Sequence, residues 1–281
     1  EQLENKISAW GLTNVSAYPE EPFFVASFGL TKNDLSHQID LSKSLYSAGW
    51  YYQQILKLGA GEGICSLSEN YLVWDSDLFI VDPWPIIREE SQHCAAFLQH
   101  RSFGNPDIVG RWERWIREIL KVEPATDKEA TYIPHHLWFN QTIIREMLVR
   151  LNDYYQSDDA WPLLMMKSGA EFGTFSEFWL YSSWLETHHH GFVHFYPYQE
   201  YGATTERFFD DGNGKFSRQM REYLGVAPEV LFEPTLDEMM LFIQDCYSSN
   251  LPSSLSFEAS SRHIKKADAT RHLEETRSRW R

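Results

Sequence analysis

The spacing of apolar and polar positions predicts helices joined by short strands. Residues 41–60, LSKSLYSAGWYYQQILKLGA, give one apolar helical face and a second face that carries Gln54 and Lys57. Two later segments, 110–121 and 140–151, repeat apolar residues at helical spacing, which is typical of core-facing helices. Helices of this kind need an apolar partner layer.

The segment YLVWDSDLFIV, at 71–81, breaks this helical pattern. It is a short apolar run interrupted by Asp75 and Asp77, and it predicts a buried strand whose end carries charge. Helix, then strand, then further helices favours a three-layer α/β fold.

Local signals mark where two of the later helices begin. Asn140 precedes the apolar run of 140–151 and is a favoured N-cap residue. Thr174 and Glu177 are spaced as a capping box, which predicts a helix through FWLYSSWL.

The last part of the chain differs in composition from the rest. Residues 248–261, SSNLPSSLSFEASS, are half serine and predict a flexible linker. Residues 262–281 hold seven Lys and Arg against three Asp and Glu, and predict a basic tail, helical or disordered. The predicted main domain is therefore 1–247.

Composition narrows the possible functions. The 281 residues are 43% hydrophobic and 15% aromatic, enough for one large core. A net charge of −15 argues against binding a nucleic-acid backbone, which needs clustered Lys and Arg. The chain has no apolar run of about 18 residues, so we expect no membrane span within it.

The two carboxylates in the apolar run are the strongest chemical signal. Asp75 and Asp77 are two positions apart, so in an ideal strand both side chains leave the same face. Charge at the end of a hydrophobic strand is unfavourable unless it is compensated, and Mg²⁺ or Mn²⁺ compensates it with hard oxygen ligands. The pattern indicates a divalent-cation site that could hold a diphosphate.

Three segments carry a resemblance to a known family. They are GWYYQQILKLGAGEGICSLSENYLVWDSDLFIVDPWPII, YIPHHLWFNQTIIREMLVRL and TFSEFWLYSSWL, which together cover roughly 40–185. They resemble, in the same order, the DxD, His-His and Ser-Glu motifs of a family of predicted GT-A glycosyltransferases whose function is unknown. The order of three motifs is more specific than any one of them.

The resemblance implies a GT-A-like α/β/α sandwich with a mostly parallel central sheet. GT-A sheets begin with strands well upstream of the DxD. About 70 residues precede Asp75 here, and NVSAYPEEPFF is their one strand-like segment. We therefore also consider that the sheet of this chain lacks the first strand or strands of the GT-A fold.

The resemblance also assigns roles to individual residues. It implies a nucleotide-sugar donor, UDP- or GDP-linked, at Asp75 and Asp77, with Gln54 and Lys57 nearby. Lys57 would contact donor phosphate; the alternative is a solvated helix lysine.

On the acceptor side the resemblance places three further residues, His135, His136 and Trp179. The alternative for the tandem histidines is one buried and one exposed side chain. Glu177 would be the catalytic base for a glycan or other hydroxyl acceptor if the reaction inverts configuration, although the capping box gives it a local role as well.

A histidine completes the cation shell in many GT-A enzymes, and the resemblance implies one here. The sequence does not settle which histidine it is; His194, in an apolar strand-like setting, is the candidate. The run of three histidines at 188–190 also suggests zinc, but consecutive side chains do not point to one ligand position.

Two other functions stay open from the sequence. Paired carboxylates also serve metal-dependent hydrolases and nucleotidyltransferases, and a DxD without turnover fits a sugar- or nucleotide-binding module. The sequence also leaves two compartments open. One is the cytoplasm, and the other, if an anchor lies upstream, is the Golgi lumen.

Overall fold

The structure is a computed structural model. It describes the backbone of residues 2–9, 13–39, 42, 44–75, 78–80, 87–88, 93–100, 106–126, 130–134, 136–197, 205–210, 215–227, 238, 241–242, 245 and 254–259. The helices, strands and contacts described lie in this part of the chain.

The fold is α/β, with helices predominating and small sheets. The helices are α1 (Gln2–Ala9), α2 (Val25–Phe28), α3 (Lys32–Ser36), α4 (Ala48–Leu58), α5 (Ala60–Gly63), α6 (Pro106–Trp115), α7 (Gln141–Tyr155), α8 (Trp161–Phe172), α9 (Glu177–His188) and α10 (Lys215–Leu224). A π-helical turn, Ile116–Leu120, continues α6.

The strands are short. They are β1 (Asn70–Trp74), β2 (Leu78–Ile80), β3 (Ile87–Arg88), β4 (His93–His100), β5 (Ala130–Thr131), β6 (His136–Asn140), β7 (Val193–Pro197), β8 (Thr205–Asp210) and β9 (Ser254–Ala259).

None of the helices that the structure describes is both long and apolar enough to cross a membrane.

The chain divides into two compact units. The first comprises Glu1–Val73 with Ile87–Phe195, and the second comprises Trp74–Ile86 with Tyr196–Arg281. The α/β class expected from the sequence is confirmed in this coarse form.

In the first unit, β1 pairs with β6, and β4 pairs with β3, β5 and β7. The pairings of β4 with β3 and β5 are antiparallel, with Ile87 opposite Cys94 and Gln99 opposite Thr131. In the second unit, β9 lies between β2 and β8. It is antiparallel to β2 and parallel to β8.

These pairings do not confirm the expected mostly parallel central sheet. Of the four whose direction the structure gives, three are antiparallel and one is parallel.

Two predicted helices of the first unit, α4 and α7, each have a side-chain cap and an apolar stripe. Asn140 accepts a hydrogen bond from the Ile143 backbone N–H at 2.9 Å, as predicted for the start of α7. The apolar stripe of α7 is fully buried, and its members are Ile143, Ile144, Met147, Leu148 and Leu151. For α4, Ser47 accepts from the Trp50 backbone N–H, so the helix begins at Ala48, later than the predicted 41.

Helix α8 packs closely on α4 because of a glycine. A Cβ on Gly169 would lie 2.9 Å from the ring of Tyr51, closer than side chains normally approach. The helix ends at Gly173, whose positive φ of 80° suits glycine. The Tyr51 hydroxyl then donates to the Gly173 carbonyl at 2.6 Å, which joins the two helices.

Two sequence-based predictions differ from the structure, and a third is untested. The strand-like segment at 14–24 forms turns and irregular structure, with only an isolated bridge at Phe24. Part of the predicted linker 248–261 is strand β9, because Ser254–Ala259 alternates polar and apolar residues and pairs on both edges. The predicted tail, 262–281, lies outside the described residues.

Candidate functional site

The acidic triplet begins where β1 ends. Asp75 follows Trp74 directly; its side chain is half-buried, and its Oδ1 is shielded from solvent. Ser76 and Asp77 lie outside the described residues. The single strand expected over 71–81 is wrong, because β1 and β2 are separate strands that pair with β6 and β9.

A buried cluster of charge lies in the first unit, between α4 and α9. The Lys57 Nζ lies 2.7 Å from the Glu177 Oε1, and the two side chains are 12% and 2% exposed. Lys57 is near the end of α4, and Glu177 is the first residue of α9. Lys57 is therefore not a solvated helix lysine, the alternative considered from the sequence, because its ammonium is paired with the buried Glu177 carboxylate.

Gln54 completes this cluster. It lies one turn before Lys57 on α4 and is 5% exposed, so it belongs to the buried face and not to the polar face that the periodicity assigned. With its amide nitrogen turned towards Glu177, it donates to Oε1 at 3.2 Å and also contacts Oε2. The opposite orientation gives only a 3.4 Å bond from the Glu177 backbone N–H, and we favour the first because it is charge-assisted.

The predicted capping box at the start of α9 does not form. The N-cap residue is Ser176, and it makes no side-chain cap hydrogen bond. The Thr174 hydroxyl instead accepts from the Trp112 indole N–H at 3.0 Å. Glu177 is thus available to Lys57 and Gln54, at a helix start that favours a negative charge.

Two residues around Lys57 were missed by sequence reasoning. The Lys57 Nζ lies 4.5 Å from the centre of the Phe178 ring, a cation–π contact. The Tyr71 hydroxyl donates to the Lys57 carbonyl at 3.0 Å. Burial raises the pKa of Tyr71 well above its usual value, so this hydroxyl stays a neutral donor.

The residues expected on the acceptor side are buried where the structure describes them. His136 is fully buried on β6, and its Nδ1 lies 2.8 Å from the Pro134 carbonyl. Trp179 is 5% exposed, and its indole donates to the Ala125 carbonyl at 2.8 Å. His135 lies outside the described residues.

A family match covers most of the chain. The model of a family of unknown function, DUF6492, matches residues 1–252. The chain belongs to this family. No curated protein matches it. The matched residues of this DUF6492 member include the acidic triplet and the Lys57–Glu177 pair.

The structure brings three of the expected site residues together, and two others belong to different units. Gln54, Lys57 and Glu177 form one cluster in the first unit. His194 is half-buried on β7 of the same unit, whereas Asp75 belongs to the second. Among the described residues, no three His, Cys, Asp or Glu side chains form a group that could hold a metal ion.

Proposed function

We propose that this protein is a metal-dependent glycosyltransferase of the GT-A type. It transfers a sugar from a nucleoside diphosphate sugar to a hydroxyl of a glycan or other acceptor. The observation that carries the proposal is the acidic triplet, which begins with Asp75 directly after β1 and is followed by β2.

The donor chemistry of the triplet suits Mn²⁺ or Mg²⁺. Asp75 offers a hard carboxylate oxygen, and a half-buried carboxylate after an apolar strand is stabilised by a nearby cation. Asp75 and Asp77 would hold the ion. When bound, the cation would neutralise charge on the diphosphate leaving group.

Within this proposal Glu177 is the candidate base. The neighbouring ammonium of Lys57 stabilises the ionised carboxylate, which is the form that accepts a proton. The contacts to Lys57 and Gln54 occupy the carboxylate, and Glu177 is only 2% exposed. An acceptor hydroxyl would reach it only after these contacts open.

The test measures release of nucleoside diphosphate from a panel of sugar nucleotides with Mn²⁺. We expect turnover by the natural chain and a loss of at least about 100-fold in Asp75→Asn and in Asp77→Asn, since the charge stabilisation by the metal is removed. Asp158→Asn, at an exposed position, is the matched control and should keep full turnover.

Other outcomes point elsewhere. Unchanged turnover in both triplet variants would contradict the proposed site. Release of nucleoside monophosphate would favour a hydrolase or nucleotidyltransferase. Binding of UDP or GDP with Mn²⁺ in a calorimeter, without turnover of any sugar nucleotide, would favour a binding module.

A further inference from the structure

Lys57 makes two different connections at the end of α4. Its ammonium binds Glu177 at the start of α9, and its carbonyl accepts the hydroxyl hydrogen of Tyr71 on β1. One residue therefore joins two helices and a strand.

The ammonium is held from more than one side. Glu177 lies at 2.7 Å, and the Phe178 ring lies at 4.5 Å. Because Glu177 is buried, moving Lys57 away leaves an uncompensated carboxylate unless another group takes its place. The backbone of Lys57, and with it the acceptor for Tyr71, is accordingly held in place.

Tyr71 is the point at which β1 is held to the core. It is the only fully buried residue of this strand, at 7% exposure, whereas Leu72, Val73 and Trp74 are half-buried. Its ring also packs against Phe139 of β6, with 5.8 Å between ring centres. In sequence, Tyr71 precedes Asp75 by four residues.

We infer that Lys57 and Tyr71 are positioning residues, which fix β1, the strand that leads directly to Asp75. This inference rests on the proposed function for its consequence in binding. It gives Lys57 a role besides contact with the donor phosphate, because its ammonium pairs with Glu177 and its carbonyl accepts from Tyr71.

The test compares two tyrosine variants. Tyr71→Phe removes the bond to the Lys57 carbonyl, and Tyr52→Phe removes a similar half-buried bond, from the Tyr52 hydroxyl to the Glu20 carbonyl at 2.6 Å. Each variant loses one neutral hydrogen bond, but only Tyr71 belongs to β1. Binding of UDP and of GDP with Mn²⁺ is measured by calorimetry, and stability by thermal unfolding.

We expect the Kd in Tyr71→Phe to rise by about two- to tenfold, the range that one hydrogen bond can supply. In Tyr52→Phe the Kd should stay within about twofold of the natural chain, although both variants should melt at lower temperature. Equal Kd values in the two variants would overturn the inference.

A second measurement separates this inference from the proposed function. If the natural chain binds neither nucleotide with Mn²⁺, the proposed function fails, and amide hydrogen exchange of residues 70–74 decides the inference alone. Faster exchange of β1 in Tyr71→Phe than in Tyr52→Phe supports the anchor. Equal exchange in the two variants overturns it.

Discussion

The starts of α7 and α9 satisfy the same physical requirement in different ways. At α7, Asn140 accepts from the Ile143 backbone N–H, and the exposed Glu69 accepts from the Thr142 backbone N–H at 2.9 Å. At α9, Ser176 makes no side-chain cap bond, and Glu177 enters a buried ion pair with Lys57.

The difference lies in the range of the interactions. The Asn140 cap acts over three residues, whereas Lys57 and Glu177 are 120 positions apart. A solvated cap contributes modestly, because water replaces it when it is lost. Water does not replace the partner of a buried charge, so losing that partner destabilises the fold much more. The start of α9 should therefore be far more sensitive to substitution than the start of α7.

The largest expected effect is the loss of one member of the buried pair. Lys57→Met leaves the Glu177 charge buried without its ammonium, and Glu177→Gln leaves Lys57 without its carboxylate. We expect each to lower the free energy of unfolding by about 3–5 kcal/mol. Denaturant unfolding, followed by tryptophan fluorescence, measures this directly.

The matched control is an exposed pair. Glu118→Gln removes a partner of Arg114, where the two side chains are 47% and 52% exposed, and should cost no more than about 1 kcal/mol. The double variant, Lys57→Met with Glu177→Gln, should recover at least about 2 kcal/mol of the summed single losses, since neither charge of the pair is left. Additive losses would show that the two side chains do not act as a pair.

The contrast between the two helix starts also explains what could be predicted from sequence. The α7 cap and its buried stripe follow from residues within one or two turns of each other, so periodicity finds them. Thr174 and Glu177 fit the same kind of local rule, yet the rule fails. The Thr174 hydroxyl is taken by Trp112, 62 positions away, which no local pattern contains.

The same reasoning applies to the candidate site. The sequence singles out Asp75 because charge interrupts an apolar run, whereas Lys57 and Gln54 are site candidates through the family resemblance. It does not show that Gln54 faces the core or that Lys57 binds Glu177, since both depend on how α4 packs against α9. Strand β9 was missed although Leu255, Phe257 and Ala259 alternate with polar residues, because its serine content resembles a linker.

A smaller effect is expected from the α7 cap itself. Asn140→Ala removes the acceptor for the Ile143 N–H and should lower the free energy of unfolding by about 1 kcal/mol. Asn140→Asp, which keeps an acceptor oxygen, should restore most of this loss. Should Asn140→Ala prove as damaging as Lys57→Met, the distinction between local and tertiary helix starts would not hold.

The smallest expected effect is a pH dependence at the same helix start. Hydrogen bonds from Thr142 lower the pKa of Glu69 below its ordinary value of 4.5, with a smaller contribution from Arg145. Because the folded-state pKa is the lower one, the stabilisation is complete above the unfolded-state value and is lost as the pH falls through the folded-state value. The difference in unfolding free energy between the natural chain and Glu69→Gln should therefore be constant near neutral pH and shrink below about pH 4.5. The loss in Asn140→Ala serves as the control, since an amide does not titrate and its contribution should not change over that range. A difference for Glu69→Gln that persists unchanged at low pH would mean that the ionised carboxylate is not what stabilises the start of α7.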